Sequence, residues 1–139
     1  MNHSSEQFQS EAVAWLFAQQ DVLLAYLYGS QARGGASLLS DVDVAVLFAP
    51  HLGKQARFRR RLDLSGELGG MWQRDDVQVV DLAEASPLLR HRVYVDGRVL
   101  YCADDAVRVK FILDTMRDYE DTRPIRRVNE KYTLAYFAD

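Results

Sequence analysis

The segment DVDVAVLF opens with two aspartates, Asp41 and Asp43, and continues as an apolar run to Phe48. Residues i and i+2 of a β-strand project to the same side, so the two carboxylates stand a few ångströms apart. Like charges so placed raise each other's pKa unless a divalent cation holds both ionised. Acids at the mouth of a hydrophobic strand are also costly to desolvate without a cation beside them. Magnesium suits the pair, because it takes one or two protein carboxylates and completes its shell with water and substrate phosphates. With ten residues between it and Asp41, the pair Gly29-Ser30 ends the preceding apolar run, VLLAYLYG. Glycine there permits a sharp turn and a close ligand approach. If a helix follows, its free N–H groups and the Ser30 hydroxyl form a cradle for phosphate oxygens. Either signal alone has a plainer reading: a strand-to-helix turn, or acids that stay wet. Together they supply both halves of a magnesium–nucleotide site, the turn for the triphosphate and the acids for the ions that bridge it. The pattern G-x-x-x-x-G-K-[ST] is absent, which excludes a P-loop.

The elements that must position these residues follow from periodicity. Phe8, Ala12, Trp15, Leu16 and Gln19 share one face of a helix expected over Glu6 to Gln20, with Ser5 as its N-cap. Val22 to Gly29 reads as a buried strand, and Asp41 to Phe48 as a second, ended by Pro50. In the second strand Asp41, Asp43, Ala45 and Leu47 face one way, and Val42, Val44, Val46 and Phe48 the other. A helix is expected from Lys54 to Leu68, closed by Gly69-Gly70, and a third strand from Val77 to Leu82. Ser86 and Pro87 are suited to start a helix that Gly97 ends, before a brief extended RVLY. From Asp104 to about Thr122, Val109, Ile112, Met116 and Tyr119 form an apolar stripe; Pro124 interrupts, and a last helix is expected over Ile125 to Phe137. The whole is one α/β domain: a core over residues 1–103 and a helical C-terminal extension over 104–139.

Bulk properties narrow the class further. A chain of 139 residues, 48% hydrophobic and 27% charged, is long enough for one domain with a real core. Its formal net charge of −3 argues against non-specific duplex binding, which needs a cationic surface. Cys102 stands alone, and His3, His51 and His91 are scattered, so neither a disulfide framework nor a histidine–cysteine metal site is expected. The polar MNHSSEQFQS start lacks the apolar core of a signal peptide. No apolar run approaches the roughly 20 residues that span a bilayer. A cytoplasmic enzyme or binding module is the expectation.

Gly29-Ser30, ten intervening residues and Asp41-Val42-Asp43 resemble the signature of the polymerase-β-type nucleotidyltransferase superfamily. The stretch GSQARGGASLLSDVDVAVLF is similar to that of its smallest members, the minimal nucleotidyltransferases, and VQVVDLAEASPLLRHRVYVDGRVLY is similar to their segment after the third strand. The resemblance spans roughly Val22 to Tyr101 and implies a small mixed β-sheet flanked by helices. It also implies ATP as donor, Mg²⁺ as cofactor, and transfer of AMP to a hydroxyl with loss of pyrophosphate. Small proteins of this branch are commonly antitoxins for a HEPN-type ribonuclease toxin, modified on a tyrosine. Asp41 and Asp43 are then the catalytic, metal-binding pair, and Gly29, Ser30 and Arg33 hold the nucleotide. The resemblance further implies a third carboxylate on the third strand, where this chain has Gln78. Asp76 shares the face of Gln78 two residues earlier, and Asp81 lies on the opposite face; either substitutes only after a bulge or a register shift.

The basic clusters RFRRRL (Arg57 to Leu62) and RPIRR (Arg123 to Arg127) read first as solvated helix faces. Trp15 and Trp72 read as core. Tyr132, Leu134, Tyr136 and Phe137 either pack back on the domain or form an apolar surface for a partner. Two further functions fit the same residues: an antitoxin that neutralises by binding alone, which Gln78 motivates, and nucleotide transfer to a small molecule.

Overall fold

The computed structural model describes residues 5–29 and 42–128, with side chains from residue 10 onward. Ser30, Arg33, Asp41 and the aromatic residues beyond position 128 lie outside the described residues, as does Phe8 as a side chain. Along the described residues the main elements follow in the order α1 (Ser5–Phe17), β1 (Val22–Tyr28), β2 (Val42–Phe48), α2 (Lys54–Trp72), β3 (Val77–Asp81), α3 (Pro87–Asp96), β4 (Arg98–Cys102) and α4 (Asp105–Asp121). The strands form one mixed sheet in the order β3-β2-β1-β4. β1 is antiparallel to β2 and to β4, while β2 and β3 are parallel and joined through α2, as a parallel crossover requires.

Each face of the sheet builds its own core. On one face Val42, Val44, Val46 and Phe48 of β2 pack with Ala12 and Leu16 of α1 and with Leu64, Leu68 and Trp72 of α2. On the other, Leu24, Tyr26 and Ala45 meet Val93 of α3 and Phe111 of α4. The alternation expected of β2 is therefore realised, and it assigns Asp43 to the α3/α4 side. β1 reaches the same alternation only through an irregularity between Val22 and Leu24, which puts Val22 in the first core and Leu24 in the second.

Three boundaries of α1 and α2 differ from expectation, the first being the end of α1, at Phe17 instead of Gln20. Ser5 is the first residue of α1 instead of its cap. α2 does not stop at Gly69-Gly70 but continues to Trp72, because burying the Trp72 ring against the sheet extends it by another turn. It ends at Gln73, whose backbone is left-handed (φ 53°) and whose N–H and that of Arg74 donate to the Gly70 and Gly69 carbonyls. Gly69 serves close approach: a Cβ there would lie 2.8 Å from the Arg74 carbonyl oxygen. α3 starts as expected, with Ser86 accepting from the Leu89 N–H at 3.2 Å and Pro87 in the first turn.

α4 is capped by Asp104, which accepts from the Ala106 N–H at 2.9 Å. Its inward face is rotated from the expected stripe: Phe111 and Thr115 are buried, while Val109 and Met116 are about half exposed. The aromatic contacts explain the rotation. Phe111 meets the rings of Tyr26 and Tyr94, with centroids 5.9 and 6.5 Å apart, and Tyr119 stacks on His91 at 3.8 Å. After a turn at Thr122, residues 123–128 are helical again, with Pro124 in the first turn, where its missing N–H has no partner to lose. The remainder of the expected last helix lies outside the described residues. Among the described residues no helix is long and apolar enough to cross a membrane.

Candidate active site

Three neighbouring strands bring three side chains into one row. Tyr28, the last residue of β1, is paired with Asp43 of β2, and Asp43 in turn with Gln78 of β3. Chain turn and acid meet at the end of this row. Gly29 has a left-handed backbone (φ 79°), and a Cβ placed on it would lie 2.7 Å from Oδ2 of Asp43. Glycine is thus required twice, by its dihedral angle and by the carboxylate lying against it. A carboxylate and the turn expected to bind phosphate occupy the same spot, which is what a metal-bridged phosphate needs. Ser30, Arg33 and Asp41 adjoin these positions in sequence and lie outside the described residues.

Tyr28 is a participant that the sequence reading left without a role. Burial, and secondarily the charge of Asp43, push its phenol up to about 12. The row therefore presents one carboxylate between two groups that are neutral at physiological pH. Only the hairpin register reveals this, since Tyr28 and Asp43 are fifteen positions apart and become opposite one another through pairing.

Neither acid near Gln78 replaces it. Asp76 precedes β3 and is gripped by Arg74, whose Nε and Nη2 donate to its two oxygens at 2.7 and 2.6 Å. That guanidinium holds the Asp76 carboxyl below its usual range. Asp81 is buried on the opposite face, opposite Val46, as its position in the strand predicts. Its Oδ2 accepts from Arg57 Nε at 2.7 Å and its Oδ1 from the Ala83 N–H at 3.0 Å. The bulge or register shift needed to bring either acid forward is absent from the regular β2–β3 pairing. Asp75 lines a cleft beside the C-terminal half of α2, together with Gly69, Gly70 and Gln73.

The basic clusters are more structural than a solvated face. Arg57 ties α2 to Asp81, to Glu84 at 2.7 Å and to the Leu52 carbonyl at 2.9 Å. Arg60 grips Asp21 with Nε and Nη2, anchoring α2 to the start of β1. Arg61 rests on the exposed Phe58 ring, 5.2 Å from its centroid. In the second cluster Arg123 pairs with Glu120, and Arg126 lies 3.6 Å over the Tyr119 ring. Trp72 is buried and Trp15 half-buried against the first core, as expected of core tryptophans.

A mixed four-stranded sheet with helices on both faces, and an aspartate packed against a glycine turn, defines a nucleotidyltransferase-type fold. The family model described as Polymerase beta, Nucleotidyltransferase matches residues 11–106, and the chain belongs to this family. It is similar to the protein adenylyltransferase MntA of Shewanella oneidensis, with 37% identity over 78 residues. The match covers 56% of this chain and 52% of that protein, so the chain spans about half the length of the curated relative it matches. Among solved structures it resembles the complex of a tri-AMPylated Shewanella oneidensis HEPN toxin with an MNT antitoxin. The TM-score is 0.72 at 25% identity, covering 94% of this chain and 99% of the other. A toxin–antitoxin structure with AMP-PNP gives a TM-score of 0.72 at 27% identity, covering 89% and 97%.

Proposed function

We propose that this chain is a cytoplasmic antitoxin that transfers AMP from ATP to a hydroxyl, in the first place a tyrosine, of a cognate HEPN ribonuclease toxin. The observation that carries the reading is the contact between Asp43 and the Gly29 turn, which brings a hard oxygen ligand and a phosphate-binding backbone together. The similarity to a protein adenylyltransferase and to antitoxins solved with their toxins supports it. The donor set fits magnesium: a carboxylate oxygen beside a backbone turn that has no side chain between them. Asp41 and Asp43 would hold the ion, whose charge offsets that of the triphosphate and of the departing pyrophosphate.

The remaining work falls to this chain's own groups. The Gly29 turn, the Ser30 hydroxyl and Arg33 orient the phosphates, so that the partner hydroxyl oxygen meets the α-phosphorus in line with the bond to the β-phosphate. The new phosphorus–oxygen bond forms as that bond breaks, giving the AMP ester and pyrophosphate. Gln78 is an amide and cannot take the hydroxyl proton, and Asp76 and Asp81 are held by guanidinium groups, so the proton leaves to water. Catalysis then rests on positioning and charge neutralisation, which dominate such transfers.

Intact-mass measurement of the HEPN partner incubated with this chain, ATP and Mg²⁺ tests the reading. Mass steps of one AMP unit are expected, and they disappear with Asp41→Ala/Asp43→Ala. Partner mass unchanged under every condition rules the transfer out. The neutral Gln78 beside Asp43 favours one second reading, neutralisation by binding alone. It requires that the double variant still protect cells from the toxin.

A further inference from the structure

We propose that Gln78 restricts this site to a single divalent ion and acts there as a hydrogen-bond donor to a phosphate oxygen; the inference rests on the nucleotide-site reading above. A site that holds two divalent ions keeps them about 3.5–4 Å apart, and their mutual repulsion must be offset by carboxylates shared between them. Here β2 is the one described strand of the row that contributes an acid. Asp43 lies in β2, and Asp41 is two residues before it in sequence. Across the row, β3 presents the Gln78 amide, and β1 presents the Tyr28 phenol. The acids flanking Gln78 are engaged elsewhere: Asp76 with Arg74 on both oxygens, and Asp81 with Arg57 on the far face of the sheet. Asp75 lines the cleft next to α2.

Two carboxylates are the usual protein share of one magnesium ion, with phosphates and water completing its six positions. The amide oxygen of Gln78 adds no negative charge, so it does little to offset a second ion. Its NH₂ group can donate two hydrogen bonds, and Gln78 is exposed and paired with Asp43, the residue that lies against the Gly29 turn. Gln78 is therefore a specificity-determining position: the amide selects one ion plus a phosphate contact, where a carboxylate would admit a second ion.

Equilibrium dialysis with Mn²⁺ and the non-transferable α,β-methylene-ATP counts the ions held per chain. The expected result is one Mn²⁺ per wild-type chain, and two per chain for Gln78→Asp or for the isosteric Gln78→Glu, with folding verified by circular dichroism. Two ions bound by the wild-type chain overturn the inference, as does a count of one in both folded variants. A folded wild-type chain that retains neither nucleotide nor Mn²⁺ overturns the nucleotide-site reading itself.

Discussion

At the scale of single residues, the site depends on contacts too short to tolerate added atoms. Gly29→Ala introduces a methyl where Asp43 Oδ2 already lies, at a dihedral that disfavours L-residues. Nucleotide binding should fall at least as far as in Asp43→Ala, measured by fluorescence titration with a labelled ATP analogue. Tyr28 supplies a second residue-level prediction. Its folded-state pKa of about 12 lies above its ordinary value of 10, so the folded chain keeps a proton that the unfolded chain loses. Its contribution to stability is complete below pH 10 and is lost as pH rises towards 12. Tyr28→Phe should flatten part of the alkaline fall in thermal midpoint. In a spectrophotometric titration, Asp43→Asn should lower the highest phenol pKa only in part, because burial is the larger cause and the Asp43 charge the smaller.

Among the elements, α2 does the most to hold the strands in register. Arg57 and Arg60 reach from it to Asp81 at the end of β3 and to Asp21 at the start of β1. Further along the same helix, Leu64 and Leu68 are fully buried in the core against the sheet. Leu64→Ala should cost about 2–5 kcal/mol in urea unfolding, through lost burial and the cavity left behind. Asp81→Asn separates a structural role from a catalytic one. It should lower the thermal midpoint by unpairing Arg57, yet leave nucleotide and Mn²⁺ binding unchanged. Reduced ion binding in that variant, while folded, would falsify the assignment of Asp81 to the fold alone.

For the molecule as a whole, the two cores have different duties. The α1/α2 core fixes the sheet, and the α3/α4 core closes the face on which Asp43, Tyr28 and Gln78 emerge. Phe111 is the keystone of the second, in contact with both Tyr26 and Tyr94. Phe111→Ala should cost about 3–5 kcal/mol, a large part of a domain stability on the order of 5–15 kcal/mol. Calorimetry that finds the midpoint unchanged would show that α4 is dispensable to the fold. The net charge of −3 sets the outward behaviour of the molecule. Duplex DNA binding should be undetectable at physiological salt, because the surface lacks the excess cations that counterion release demands.

The strands, the faces of β2, the Ser86-Pro87 helix start and the approach of Gly29 to Asp43 were all legible in the chain. Each follows from local rules: alternation with period two, capping chemistry, and the backbone freedom of glycine. Placement of Asp81 on the far face also followed, since parity along a regular strand is a local property. What the sequence left open was every question that depends on a partner distant in the chain. The end of α2 was decided by Trp72 seeking the core, not by the glycines before it. The buried face of α4 was decided by Phe111, whose aromatic neighbours come from β1 and α3. Tyr28 stood unremarked in an apolar run until pairing set it opposite Asp43, and Arg57 and Arg60 read as surface charge until folding brought acids to them. The sequence by itself singled out Gly29-Ser30 and the Asp41/Asp43 pair as the candidate nucleotide and metal site. Tertiary structure decided that neither Asp76 nor Asp81 joins that row: Asp76 lies before β3 with both oxygens on Arg74, and Asp81 lies on the far face of the sheet with Arg57. That leaves Gln78 in the row with Asp43.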